Sequence, residues 1–90
     1  MDGQQQRKAL SAAEAALRAL AVGEAARARA AAEKAASLDQ IGAYAGFAGL
    51  VGRAAGEIEA VGGVLPETRR ALADSLGGGP LAAAVEELLR

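Results

Sequence analysis

Apolar residues recur along this chain at spacings of three and four, and no segment shows the alternation of a half-buried strand. Leu10, Ala13, Leu17 and Leu20 form a stripe that predicts a helix over about 5–22, and Gly23 reads as its stop. The next helix starts at Glu24, whose charge suits a helix N-terminus, and runs to about Ser37. Ala25, Ala28, Ala32 and Ala35 give it a small-residue face, with Arg27, Arg29, Glu33 and Lys34 off that face. Asp39 is the expected N-cap of a third helix that ends at Gly62-Gly63. Pro66, followed by Glu67 and Thr68, signals a fourth helix to Leu76, with Leu72 and Leu76 inward. Gly77-Gly78-Gly79 breaks it and acts as a hinge before a last helix opened by Pro80, where Leu81, Val85 and Leu88 form the apolar stripe. Glu86, Glu87 and Arg90 are expected to face water, and residues 1–8 are polar and expected to fray. The pattern predicts a single all-α domain over 1–90, a small bundle of four or five helices built from antiparallel helix-turn-helix pairs.

The third helix is the unusual one. On a helical projection Tyr44, Phe47, Val51 and Ile58 fall together, with Leu50 and Val61 at the edge, while Gly42, Gly46, Gly49, Gly52 and Gly56 fall on the opposite side. Glycine costs about 0.8–1 kcal/mol against alanine in a helix interior, so five of them cost roughly 4–5 kcal/mol. Close approach of another backbone is the usual compensation. The leading expectation places the Ala25/Ala28/Ala32/Ala35 stripe of the same chain on this bare face. The second places a second copy or a partner there, and the third is membrane insertion. On the first two readings Gly46→Leu or Gly49→Leu should disrupt a tight contact. The uncharged run, Gln40 to Gly52, lies between Asp39 and Arg53 and is well short of the ~20 residues a membrane span needs, so no span is expected.

Composition narrows the picture further. The 52% hydrophobic fraction is largely alanine, which favours helix but buries little area, so the core is modest and dimerisation would add stability. Ten basic and eleven acidic residues give a net charge of −1, which does not suggest a nucleic-acid or anionic-membrane partner. There is no cysteine, and so neither a disulfide framework nor thiol chemistry. Glutamate and arginine interrupt the apolar region near the N-terminus, which does not read as a signal peptide, and the cytoplasm is the expected location. Abundant Ala, Gly and Arg suggest a GC-rich bacterial gene.

The chain offers little for catalysis. It has neither histidine nor cysteine, and Ser11, Ser37, Ser75 and Thr68 have no base partner at a readable spacing. Glu57 and Glu59 point in different directions on a helix, as do Glu86 and Glu87, and all four read as solvated charges. No acidic cluster has metal-loop spacing, and no cofactor or small-molecule ligand is inferred. Gly77-Gly78-Gly79-Pro80 precedes a helix N-terminus but lacks the lysine and the Ser/Thr of a phosphate loop.

One stretch resembles a known family. In GEAARARAAAEKAASLDQ, Gly23 is followed by Glu24, Ala28 and Ala35 stand at the two small-residue positions, Lys34 precedes Ala35, and Leu38-Asp39 precede Gln40. This resembles a single tetratricopeptide-repeat unit over about 9–42. That family uses glycine where its first helix ends, alanines where its helices touch, and Leu-Asp-Pro at the end of the repeat. Gln40 stands in place of that proline, and Ala12, Ala15, Ala16 and Ala19 replace bulkier residues. The pattern does not recur one repeat later, where Glu57, Gly62 and Arg69 stand, so the resemblance implies one repeat-like hairpin within a bundle and not a stacked array. It implies a protein-binding module that recognises a peptide or partner helix.

The reading of the whole is a non-catalytic protein-interaction or small structural module, homodimeric through a glycine/alanine helix face. The candidate interface residues are Gly42, Gly46, Gly49, Gly52 and Gly56, with Ala25, Ala28 and Ala32 beside a peptide groove. The alternative is a DNA-binding regulator with a helix-turn-helix at 67–90, where Ala73, Leu76 and Gly77 have suitable spacing. Its second helix, carrying Glu86 and Glu87, has almost nothing with which to contact phosphate or base edges.

Overall fold

The computed structural model describes residues 2–76 and 79–89, and over them the chain is all-α. Five helices follow one another: α1 (Asp2–Ala21), α2 (Ala25–Leu38), α3 (Phe47–Val61), α4 (Pro66–Leu76) and α5 (Ala82–Leu89). Of the expected hinge at 77–79, residues 77–78 lie outside the described residues, as does the expected solvent-facing Arg90.

α1 and α2 form a hairpin closed at Gly23. The Glu24 N–H donates to the Ala19 carbonyl (2.9 Å) and the Gly23 N–H to the Leu20 carbonyl (3.1 Å), which terminates α1 with Gly23 at φ +79°. α3 ends in a related way at Gly62 (φ +87°), whose N–H donates to the Ile58 carbonyl. Cross-helix bonds fix the directions of the helices. Gln5 and Gln6 near the start of α1 meet Gln40 and Asp39 beyond the end of α2, Arg29 of α2 meets Glu59 late in α3, and Glu57 of α3 meets Thr68 early in α4. α1 and α2, and α2 and α3, therefore run antiparallel, and the end of α3 lies against the start of α4. α5 returns to pack on both α4 and α1.

More than half of the buried apolar residues are alanines. Ala9, Ala13, Ala16, Leu17 and Leu20 of α1 pack with Ala28, Ala32 and Ala35 of α2, and with Phe47, Val51, Ala54 and Ala55 of α3. Leu72, Leu81, Val85 and Leu88 close the other side of this core. The stripes predicted for α1 and α2 are those buried, although Leu10 is only partly covered.

Several boundaries differ from expectation, and α1 ends at Ala21 and α2 starts at Ala25, each one residue inside its expected bound. α1 begins at Asp2, so residues 2–8 belong to a helix where fraying was expected. α2 extends one residue beyond Ser37, to Leu38. α5 begins at Ala82, after a turn in which the Ala82 N–H donates to the Gly79 carbonyl (3.1 Å). α3 begins at Phe47, leaving residues 39–46 as a turn-rich loop in place of the two helical turns expected there. Asp39 is consequently not the cap of α3. Gly42 sits at φ +74°, which no right-handed helix contains, and the Asp39 carboxylate accepts the backbone N–H groups that a helix would otherwise use.

Candidate interaction surface

The 39–46 loop is built on Asp39. Its Oδ2 accepts the N–H of Tyr44 (2.8 Å), and its Oδ1 accepts those of Ala43 (3.1 Å) and Ile41 (3.3 Å) and the side-chain amide of Gln6 (3.0 Å). The hydrogen bond from Tyr44, then that from Gln6, holds this carboxyl below its ordinary range. The Gln40 N–H donates to Gln6 Oε1 (3.0 Å), and Gln40 Nε2 to Gln5 Oε1 (3.1 Å), so α1 clasps the loop from the side. Tyr44 and Phe47 anchor it from below, with edge-to-face rings whose centroids are 5.8 Å apart. Burial, then the Asp39 charge, pushes the Tyr44 phenol up.

What this scaffold presents outward is uncharged. Ile41 is 76% exposed, and Gly42, Gly46 and Gly49 are exposed beside it. Gly52 and Gly56 are half-buried along the flank of α3. A methyl group built on Gly42, Gly46, Gly49 or Gly52 would meet nothing within 4 Å, and one on Gly56 would meet only the tip of Arg29, at 3.8 Å. Next to this face, Ala43, Gly46, Phe47, Leu50 and Leu76 line a cleft of about 120 Å³.

The expected packing of the alanine stripe of α2 against the glycine face does not occur. α3 turns Phe47, Val51, Ala54 and Ala55 toward the core and leaves the glycines outside, because burying an aromatic ring and a branched side chain removes far more apolar area from water than burying bare backbone. The second expected site fails for the converse reason. Ala25, Ala28 and Ala32 are buried between helices, so their side chains are covered by their own chain. The structure thus separates two sets of residues that the sequence suggested would meet.

The glutamates also differ from expectation. Glu57 is nearly covered and caps α4, accepting from the Thr68 hydroxyl (2.7 Å) and the Leu65 N–H (3.0 Å). Burial works to raise its pKa, but the bonds from Thr68, Leu65 and Arg53 outweigh that and hold it below the usual range. Thr68 is fully buried and its partner is a weakened base, so the pair reads as a cap and not as a nucleophile with its activator. Glu59 is bound to Arg29 (2.7 Å) and Glu87 pairs with Arg18 (3.5 Å), while Glu86 faces water as expected. The sequence signal for the loop was Asp39 three residues ahead of Gly42, a turn pattern that competes directly with the N-cap reading.

No described helix is long and apolar enough to cross a membrane. Compared with protein-family models, curated proteins and solved structures, the chain has no significant match.

Proposed function

We propose that this chain is a non-catalytic structural or protein-interaction module that pairs with a second copy of itself through the Gly42/Gly46/Gly49 side of α3 and the adjoining loop. One observation carries the reading: the glycines are placed where nothing in their own chain approaches them. Of the three only Gly49 lies within α3, where its cost in helix propensity, roughly 0.8–1 kcal/mol, is not offset internally, and a second backbone laid close against it would offset it. The face from Gln40 to Gly52 is uncharged, so two copies meet across a two-fold axis without like charges opposed. Ile41, exposed in the adjoining loop, would supply apolar area to the contact. The resemblance of the α1–α2 hairpin to a tetratricopeptide unit supports the same class of function, and composition supports a bacterial gene.

Light scattering tests the proposal. The wild-type chain is expected at twice its own mass, dissociating on dilution. Gly49→Leu should give a monomer that melts no lower than the wild-type monomer, because its side chain enters open space. A wild-type chain that is monomeric at every concentration, or a Gly49→Leu variant that stays dimeric, overturns the reading. Gly42 is unsuitable for this test, since its positive φ would strain any side chain.

A further inference from the structure

The α1–α2 hairpin carries a second surface, of different character. A cavity of about 480 Å³ opens between the two helices, floored by Ala12, Ala15 and Ala31 and rimmed by Arg7, Lys8 and Lys34, with no carboxylate among its lining residues. The valley continues toward Gly23 as a second cavity of about 380 Å³ that shares Ser11 and Ala15 with the first. In that second half the charges are neutralised: Arg18 pairs with Glu14 (3.3 Å) and Arg27 with Glu24 (2.9 Å). Arg29 and Arg53 are also paired, whereas Arg7, Lys8 and Lys34 make no ion pair among the described residues. The valley is therefore a long concave trough with a floor of short side chains, positive at one end and balanced at the other. From Gln4 to Val22 it extends about 27 Å at 1.5 Å per residue, the length of a helix of about five turns.

We propose that this trough binds an acidic amphipathic helix of a partner protein, with the small or apolar face of that helix over Ala12, Ala15 and Ala31 and its carboxylates against Arg7, Lys8 and Lys34. Charge complementarity selects this occupant. A second copy laid parallel would set three cations against three cations, and one laid antiparallel would set them against the half where Glu14 and Glu24 already have Arg18 and Arg27 as partners. A nucleic-acid backbone needs positive charge along the whole track, and the half near Gly23 carries equal numbers of acids and bases. A bilayer surface is flat, and the trough is recessed. Short floor residues are what permit a second helix to approach closely, and the cations at one end set its direction. This surface shares no residue with the self-association face, so either proposal stands without the other.

The test uses the full chain and a fluorescent synthetic peptide of about five helical turns, leucine and alanine on one face and glutamates grouped at one end. Its control carries lysine at the glutamate positions. Anisotropy titration should show the acidic peptide binding at least about tenfold more tightly than its lysine counterpart, and more weakly as salt is raised. The double variant K8E/K34E should lose about tenfold in affinity with its thermal melt unchanged, since both lysines are exposed. Ala15→Leu, also at an exposed position, should weaken binding by filling the floor while leaving every charge in place. Should the double variant fail to fold, Lys34→Gln and Ala15→Leu carry the same reading. Equal affinity for the two peptides, no binding of either, or unchanged affinity in the charge and floor variants overturns the proposal. So does tighter binding to phosphatidylserine vesicles or to duplex DNA than to the acidic peptide.

Discussion

Two carboxylates do most of the positioning in this small fold, and both do it by accepting hydrogen bonds. Asp39 organises the loop that carries Ile41, and Glu57 fixes the start of α4 through Thr68 and Leu65. Each is held below its ordinary value, 3.8 for Asp39 and 4.5 for Glu57, so the folded chain binds fewer protons than the unfolded chain in that range. Their contribution is complete above those ordinary values and is lost as pH falls through the lower folded-state values. The melting temperature should therefore be flat near neutrality and drop on acidification below about pH 4, and Asp39→Asn with Glu57→Gln should flatten that drop, as followed by circular dichroism. The sequence marked Asp39 as the N-cap of α3, and in the structure it closes the loop ahead of that helix. A carboxylate that caps a helix and one that closes a turn accept the same backbone N–H groups, and only the backbone angle at Gly42 separates the two cases. Glu57 was not legible, because its partners become neighbours only once α3 and α4 pack against each other.

At the scale of elements, hydrophobic periodicity located the five helices and the inward stripes of α1, α2 and α5, and of α4 at Leu72 though Leu76 is only partly covered. Pro66 fixed the start of α4, since proline is tolerated in a first turn and nowhere later, and Gly23 and Gly62 fixed two helix ends. The start of α3 was misread because Tyr44 continues the apolar period of Phe47 and Val51 although it lies in the loop. The glycine face is the more instructive difference. A sequence shows that side chains are missing but not whether the space they leave is filled. In α3 that space is open, so Gly52→Ala should raise the stability of the monomer by about 0.5–1 kcal/mol through helix propensity alone, measured by urea unfolding at low protein concentration. A loss of stability there would mean that a backbone already lies against the helix.

For the whole molecule, the decisive property is a core made mostly of alanine. The radius of gyration is 12.0 Å, yet the large fully buried side chains are few: Leu17, Leu72, Val51 and Val85 among the apolar ones. Such a core contributes little apolar burial per residue, and pairing with a second copy adds area that the chain lacks by itself. Under the proposed self-association the melting temperature should rise with protein concentration, by mass action, and Gly49→Leu should abolish that dependence. The all-α class and the antiparallel succession of α1, α2 and α3 were readable in the sequence, from regular spacing and short connections. The closure of α5 onto α1, with Arg18 beside Glu87, was not, because alanine stripes of similar width are interchangeable partners until the whole chain is folded.

The clasp between Gln5, Gln6, Asp39 and Gln40 also joins the dynamics of two distant segments. The loop amides of Ile41, Ala43 and Tyr44 are held by a carboxylate that is itself held by the first turns of α1. When those turns open, the loop loses Gln6 as a brace and should open with them as one cooperative unit. Hydrogen exchange should therefore show the Tyr44 amide and the amides early in α1 exchanging with a common opening free energy, below that of the Leu17 and Val51 amides. Gln6→Ala should speed exchange at Tyr44 and leave the amides of α4 unaffected.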